Sequence, residues 1–541
     1  MKLFFSKLWH SETNGLTAAA LIVGMASLAS RVIGVVRDRI LASQFGAGDV
    51  LDVYYAAFRL PDLLYTLIIL GALSAGFIPV FSEYIEKRGK DEAWRLAERV
   101  LSVVGATMMV VCAALVLFSR VLVPFAVPGF SGEKLEATIQ LTRIMALSPF
   151  FLGLSAVMGG VLQATRHFFA FAMAPVFYNV GIIFGALVLS PVMGVQGLAW
   201  GVVLGSFLHL VTQSTVALRL GLRRIPAPSF KTEGVKRILW LMAPRTAGLA
   251  VSQVNTVVLL GLASTLPQGS IAVFNLANNL QSFPVGIFGI AFAVAAFPSL
   301  AIAAGSKDDG EFKRIISSAS RKISFLILPS IAIFFLLRAQ IVRLVLGSGV
   351  FSWNDTIRTA DVLGIFTFSL AFQALTPLFA RAFYALQDTW TPLIIGVLTE
   401  AFNLLLALTL RESFGILGLA MAFSAASFLN LLLLWWFLYY KKGPVSDGKI
   451  LSSFMKTAAA SVALFGFGWP VRQALGTIFQ LRTFWEVALQ MGGTITVGLL
   501  AFFTIAYLIR SEELRDLTES IRKRLFKNVR KIEGADEAQG V

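Results

Sequence analysis

One cysteine, three histidines and few charged residues are found in this chain of 541 amino acids. The single thiol, Cys112, excludes an internal disulfide framework. His10, His167 and His209 are too scattered to build a zinc-type ligand cluster, so no metal site is expected. Asp, Glu, Lys and Arg together make up 14% of the chain. Soluble domains carry about a quarter, because a surface facing water must be polar. Also missing are a phosphate-binding glycine loop, an HExxH helix and a nucleophile elbow. Loops such as 190–195 and 265–269 are too short to hold an acceptor, which speaks against a membrane glycosyltransferase or ligase. No cleavable leader is evident. Met1–His10 is short, basic and aromatic, and reads as an interfacial segment.

Apolar sequence in long runs is what the chain has instead. Hydrophobic residues are 57% and the mean hydropathy is +0.77. A hydrocarbon core about 30 Å thick is crossed by about 20 apolar helical residues. Fourteen such runs are predicted, near 15–41, 51–81, 100–119, 139–162, 168–190, 195–218, 238–264, 270–302, 323–342, 360–385, 390–410, 415–440, 452–475 and 484–509. The fold class is therefore an all-α integral membrane protein. Its net charge of +16 is distributed unevenly. With the N-terminus inside, about 31 Lys and Arg fall in cytoplasmic segments and about 8 outside, which is the positive-inside asymmetry. The basic excess thus reports topology and attraction to anionic lipid headgroups, not nucleic acid. An even span number places both termini in the cytoplasm, with the chain in the inner membrane.

The chain also repeats itself. Leu41-Ala42-Ser43 recurs as Leu262-Ala263-Ser264, Gly197-Leu198-Ala199 as Gly418-Leu419-Ala420, and Ser206-Phe207-Leu208 as Ser427-Phe428-Leu429, all at an offset of 221. After a two-residue slip, Phe77-Ile78-Pro79 lies opposite Ala296-Phe297-Pro298. Two parallel six-helix lobes follow, 15–220 and 221–440, related by an axis along the membrane normal. Such repeats place a substrate site between lobes and move it by rocking. Residues 1–14 form the interfacial segment, 441–510 an extra helix pair and 511–541 a basic cytoplasmic tail.

Charges inside the spans are costly, about 2.5–3.5 kcal/mol for a central arginine, so each needs a partner or a wet cavity. Arg31, Arg37, Arg39 and Arg59 lie in the first two spans, interleaved with Asp38, Asp52 and Asp62. At 100° per residue, Ser27, Arg31, Gly34 and Asp38 share one helix face; on span 2, Asp52, Tyr55 and Arg59 do so, with Asp62 a turn further and Pro61 inviting a kink. A cavity that receives an anion is expected from Arg31, Arg37 and Arg59, against mutual ion pairing that only holds the lobe together. Arg143 reads as an interfacial anchor, and Arg381 as a headgroup contact or a deep charge. Arg245 lies two turns into span 7. Asn255, Glu400 and Asn403 offer oxygen ligands for a monovalent cation, or simple packing hydrogen bonds. Coupling to such a cation or to the membrane potential is the expected energy source, with no cofactor. A drug or cation exporter would put acids and aromatics where this chain clusters arginines.

The run Ser30-Arg31-Val32-Ile33-Gly34-Val35-Val36-Arg37-Asp38 resembles the first-span signature of the lipid II flippase family, MurJ or MviN. Phe45-Gly46-Ala47-Gly48, Phe58-Arg59-Leu60-Pro61-Asp62-Leu63-Leu64 and Gly71-Ala72-Leu73-Ser74 continue the likeness, and Phe383-Tyr384-Ala385-Leu386-Gln387-Asp388-Thr389 extends it into the second half. That family sits in the multidrug/oligosaccharidyl-lipid/polysaccharide flippase superfamily. The resemblance implies two six-helix lobes, a tail groove on spans 13 and 14, and a flippase for the lipid-linked peptidoglycan precursor. Another polyprenyl-diphosphate-linked saccharide is the alternative cargo. A monomer working with membrane lipids and the cell-wall synthesis machinery is expected. Arg31 and Arg37 match cavity arginines implicated in holding the substrate diphosphate, Arg59 a basic position before the span-2 proline, and Asp38 and Asp52 family acids. Where many members carry charges, this chain has Tyr65, Thr66 and Leu70, and the usual Asp-Arg of span 8 becomes Asn278-Asn279. Arg245 is expected to restore one positive charge to the site.

Overall fold

The computed structural model describes residues 16–70, 76–222, 226–306, 308–479, 483–519 and 522, and no strand occurs among them. Residues 1–14, most of the basic tail, Gly71-Ala72-Leu73-Ser74 and the side chains of Leu70 and Arg245 lie outside the described residues. Helix α1 spans Leu16–Phe45 and α2 spans Asp49–Tyr65, continuing as a π-helical turn over Thr66–Leu70. Then follow α3 (Ile78–Arg88), α4 (Lys90–Ala126), α5 (Gly132–Met145), α6 (Ser148–Ala164) and α7 (Phe168–Phe184), which ends in a π-helical turn over Gly185–Leu189 and a last turn Ser190–Met193. Next come α8 (Gln196–Leu220), α9 (Glu233–Ser264) and α10 (Ser270–Pro284) with a third π-helical turn over Val285–Ile290. The rest are α11 (Ala291–Gly305), α12 (Asp309–Leu346), α13 (Trp353–Ala385), α14 (Trp390–Phe414), α15 (Ile416–Lys442), α16 (Asp447–Ile478) and α17 (Phe484–Leu508).

Eleven helical stretches among the described residues are long and apolar enough to cross a membrane. The other three predicted runs coincide with α1, with α2 and α3, and with α9, where the shorter stretch Gly248–Ser264 is apolar. These are the helices that hold most of the charge within predicted spans. Helices are also longer than the apolar runs: α4 begins ten residues before the run predicted at 100–119, because Asp91 and Glu92 suit a helix N-terminus. Large apolar side chains on α4 face outward, including Met109, Leu117, Phe118 and Phe125. Lipid is the environment that suits such a surface.

The duplication is visible in the backbone. Arg166 and Gln387 turn the chain with φ of 61° and 60°, and Gly194 and Gly415 with 62° and 58°; both pairs are 221 residues apart. The π-helical turns that begin at Thr66 and Val285 repeat with the two-residue slip seen in the sequence. Helices α4 to α8 recur in order as α12 to α15, with α13 continuous where α5 and α6 are separate.

Contacts divide the chain into two compact units. One comprises Met1–Leu276 with Val345–Arg358 and Leu404–Leu419; the other comprises Ala277–Leu344, Thr359–Asn403 and Ala420–Val541. In the first, Phe77, Phe81, Leu101, Met108, Val157 and Val161 form the core. In the second, Leu300, Phe312, Ile323, Leu370 and Phe383 do so. Helices in lipid gain nothing by hiding apolar surface from one another, so close backbone approach decides packing. Helices α7 and α8 meet through glycines: a methyl at Gly181 would come 2.3 Å from Gly205, and one at Gly185 would come 2.4 Å from Gly201. In the second unit α16 and α17 meet along a seam of small and polar residues, among them Ser461, Gly468, Thr494 and Gly498.

Gly201→Val is expected to cost about 1–3 kcal/mol through overpacking of α7 on α8, read as a lower melting midpoint in detergent. Asp388, in the loop before α14, supplies a second test. Burial opposes its ionisation, but Lys441 and the Thr391 side chain and backbone hold its carboxyl down at about 2. Its stabilisation is therefore complete above pH ~4, the unfolded value, and is lost as pH falls towards 2. Asp388→Asn should destabilise by about 1–2 kcal/mol at pH 7 and by nothing near pH 2, measured by denaturation in detergent at both values.

Candidate functional site

Helices α1, α2, α6, α7 and α8 of the first unit line a cavity of about 380 Å³. Pro61, Pro149 and Pro175 face it, each from a different helix. Pro149 starts α6, where its missing donor costs nothing; Pro61 and Pro175 lie within their helices, where proline removes a backbone donor and crowds the preceding turn, a fault that membrane helices tolerate beside a cavity. Phe58, Leu152 and Val202 make the wall largely apolar, and Arg37, Asp62, Tyr65, Ser148, Tyr178 and His209 are its polar members.

Arg37 is held on three sides. Its Nε and Nη2 donate to Asp38 Oδ1 at 2.9 and 2.7 Å, and its Nη1 donates to Asn179 Oδ1 at 2.9 Å. Asn179 is oriented in turn by donating Nδ2 to Pro175 O at 3.0 Å. Arg59 is held loosely by comparison. Its Nη2 reaches Asn275 Oδ1 at 3.5 Å and its Nη1 lies 3.9 Å from Asp62 Oδ2. Its Nε is buried without a partner, and so is the Tyr55 hydroxyl one turn earlier on the same face. A buried N–H or O–H without an acceptor costs about 1–3 kcal/mol, more when charged. Neither Arg59 nor Tyr55 is among the residues lining the cavity. His209 lies with Nδ1 2.7 Å from Ser155 Oγ.

Asp52 does something different. Although it shares a helix face with Arg59, it sits near the start of α2 and accepts from Gly269 N at 2.8 Å, Ala272 N at 2.9 Å and Lys134 Nζ at 3.0 Å. The first two donors belong to the N-terminus of α10, where four backbone N–H groups need acceptors and the helix dipole favours negative charge. Gly269 has φ +81°, and a Cβ there would come 1.9 Å from Ala47 O, so only glycine fits. Val350 N donates to Ser43 O at 2.9 Å, Arg39 Nη1 to Val345 O at 3.2 Å and Arg358 Nη1 to Gln268 O at 3.0 Å. Together these bonds latch the α1–α2 turn onto the loops before α10 and α13.

The other residues singled out by sequence are dispersed. Arg31 is half-buried and is not among the residues lining the cavity. Tyr65 lines it, while Thr66 is buried at the start of the π-helical turn. Arg245 and Leu70 have backbones in α9 and the first π-helical turn, their side chains lying outside the described residues. Asn255 is buried in the first unit with an unpartnered Oδ1. In the second unit Asn278 Oδ1 accepts from Gln281 Nε2 at 2.9 Å, and Gln373 Nε2 donates to Gln281 Oε1 at 2.9 Å; Asn279 is half-buried beside them. Glu400 is half-buried and Asn403 is buried with an unpartnered Oδ1, while Asn430 Nδ2 donates to neighbouring Thr399 at 3.1 Å. Arg143 Nε donates to Ser119 Oγ at 2.7 Å, and Arg381 Nη1 to Pro377 O at 3.2 Å.

Asn179, Tyr178, Asn275 and Lys134 complete the site and were not foreseen. Asn179 carried a signal, being a lone amide inside the apolar run at 168–190. Lys134 carried none, since a loop lysine is indistinguishable from a solvated one until its partner is known.

This fold, with a proline-lined cavity inside apolar helices, is that of a multi-span membrane transporter. The family model described as Lipid II flippase MurJ matches residues 41–485. A probable lipid II flippase MurJ of Rhizobium tropici is 30% identical over 528 residues, covering 93% of this chain and 96% of that one. The lipid II flippase MurJ of Burkholderia cenocepacia is 30% identical over 430 residues, covering 77% and 82%. The chain belongs to the lipid II flippase MurJ family. In fold it is similar to a solved lipid II flippase MurJ in an inward closed conformation, with TM-score 0.76 and 23% identity, covering 92% of this chain and 100% of that one. It also resembles an inward-facing MATE family multidrug transporter, with TM-score 0.67 and 16% identity over 79% and 99%. Membership places it in the cytoplasmic membrane with a lipid-linked substrate, as a transporter and not an enzyme.

Asp52→Ala leaves two buried N–H groups without their acceptor and takes from Lys134 one of its two carboxylates, Asp49 being the other, a loss of about 3–5 kcal/mol for a broken buried pair. Disulfide trapping between cysteines placed at Gly48 and Gln268 should then fall at least about tenfold, the equivalent of 1.4 kcal/mol. Trapping at the native rate would remove Asp52 from the latch.

Proposed function

We propose that this chain carries lipid II from the inner to the outer leaflet of the cytoplasmic membrane by alternating access. The Arg37 guanidinium, on the cavity wall and aimed by Asp38 and Asn179, carries the reading, with the buried, unpartnered Arg59 Nε as a second cationic group on α2. A sugar diphosphate cannot cross hydrocarbon unaided, since each unpaired polar group costs several kcal/mol there, and a polyprenyl tail stays in lipid. A cavity inside the helices with the Arg37 guanidinium on its wall meets both demands. Arginine stays charged when desolvated and matches phosphate oxygens with two parallel N–H groups.

Asp38 holds the Arg37 guanidinium while the cavity is empty. A diphosphate competes for the same donors, and Asn179 keeps the guanidinium aimed as Asp38 gives way. Arg59 needs no such exchange, because its Nε has nothing to release. The aromatic rings of Phe58, Tyr65 and Tyr178 offer faces to sugar rings. The Asp52 latch, on the external side in the topology with both termini inside, keeps the pathway shut until the α2–α10 contact opens. Two six-helix repeats, 15–220 and 221–440, rock to expose the site in turn, while 441–510 guides the tail. Arg31 and Arg245 add positive charge, with Asn278 and Asn279 as polar substitutes for the usual pair. A monovalent cation taken by Glu400 and Asn403, or by Asn255, or the membrane potential acting on the empty positive site, drives the return. The potential is worth about 2.3 kcal/mol per charge per 100 mV. The chain works as a monomer alongside the cell-wall synthesis machinery.

In a strain depleted of its own flippase, Arg37→Ala and Arg59→Ala should each fail to restore growth and the exposure of lipid II headgroups outside. Loss of one charge-assisted hydrogen bond, about 1.5–3 kcal/mol, corresponds to at least about tenfold slower transport. Full rescue by both variants, or lipid II exposure that does not change on depletion, would overturn the assignment.

A further inference from the structure

In the second unit, three helices meet around an arginine. Helix α12 breaks at Leu337, whose φ of −112° and ψ of 18° leave the helical region. Arg472 of α16 donates Nη1 to the carbonyl of Leu336 at this break, at 2.7 Å. Gln490 of α17 donates Nε2 to Arg472 O at 2.8 Å, and Gln340 donates to Gln490 Oε1 at 3.1 Å. Arg472 is thus tied to a fixed position with most of its guanidinium donors uncommitted. Arg338, one residue past the break, donates Nη1 to Phe335 O at 3.2 Å and stacks its guanidinium 5.3 Å from the Phe335 ring centre. Its carboxylate partner, Asp361 of α13, is 4.0 Å away. The two guanidiniums are close enough to repel each other.

Two positive charges against one loosely held carboxylate are unfavourable near hydrocarbon. Their depth says what could offset them. Arg472 lies two turns before the end of α16, and Trp469 one turn earlier is 47% exposed, while Trp485 at the start of α17 is 74% exposed. Exposed tryptophans near helix ends mark the headgroup level of a bilayer. This face is opposite the one where α17 ends and the basic tail begins.

We propose that Arg338 and Arg472 form a binding site for the phosphate group of a lipid headgroup. The fork of each guanidinium matches phosphate oxygens, and the apolar flank of α16, with Val462 and Trp469 exposed, takes the chain of the same lipid. A phospholipid and a polyprenyl diphosphate share this chemistry. The site goes beyond the flippase reading and stands without it, because an anionic phospholipid alone satisfies it.

The test uses the full chain in zwitterionic nanodiscs, titrated separately with phosphatidylglycerol, a polyprenyl diphosphate and inorganic phosphate, with adducts read by native mass spectrometry. Arg338→Gln should weaken lipid binding at least about tenfold, the value of one charge-assisted hydrogen bond. Arg472→Gln can disturb the α12 break. Arg338→Gln therefore carries the test, since its hydrogen bond stays within its own helix, and an unchanged melting point reports intact folding. Arginine-dependent binding of phosphatidylglycerol identifies a phospholipid site, and of polyprenyl diphosphate alone a station for flipped lipid; either supports the proposal. Lipid binding indifferent to Arg338, or inorganic phosphate held as tightly as the lipids, overturns it.

Discussion

A charged group removed from water must find its partner inside the protein, and the arrangement of this molecule follows from how each such group is met. Arg37 is fully engaged by Asp38 and Asn179. Arg59, 22 residues further along the chain, is engaged at distances of 3.5 and 3.9 Å and keeps an unpartnered Nε. The difference is one of unsatisfied hydrogen-bonding capacity. A guanidinium already satisfied is a positioned group that a ligand must win over, whereas an unsatisfied one gains by binding.

Asp52 meets the same constraint in another way. Its carboxylate pairs with Lys134 and accepts from two backbone N–H groups at the start of α10. No side-chain partner could replace that helix terminus, because the N–H groups and the dipole come with the backbone. The contact therefore depends on the close approach of Gly269 to Ala47, which any side chain at position 269 would prevent. Charge and backbone geometry are coupled here: a change to either residue removes the acceptor from its donors.

Between helices the governing term is contact distance. Glycines at 181, 185, 201 and 205 bring α7 and α8 together so closely that a single methyl would clash with backbone. Proline has the complementary role, loosening α2 at Pro61 and α7 at Pro175 where they border the cavity. The site is thus framed by tight packing on one side and interrupted helices on the other.

Several of these features were legible in the chain itself. Apolar runs, the basic asymmetry and the offset of 221 follow from local composition and repetition, which need no knowledge of neighbours. They specify a helical, duplicated membrane protein, and the positive-φ turns at Arg166 and Gln387 repeat at that same offset. The concentration of charge in the first two spans was legible for the same reason. Partnership was not. Asp52, Arg59 and Asp62 share a helix face, yet Asp52 caps α10 while Asp62 lines the cavity, because height along the axis and the surrounding helices decide what each one meets. Asn179, Lys134 and Gly269 lie 142, 82 and 217 residues from the groups they contact. Residue type and spacing determine which elements form; only the folded arrangement brings distant donors and acceptors within 3 Å, since hydrogen bonding and Coulomb energy depend on a separation that the order of residues does not encode.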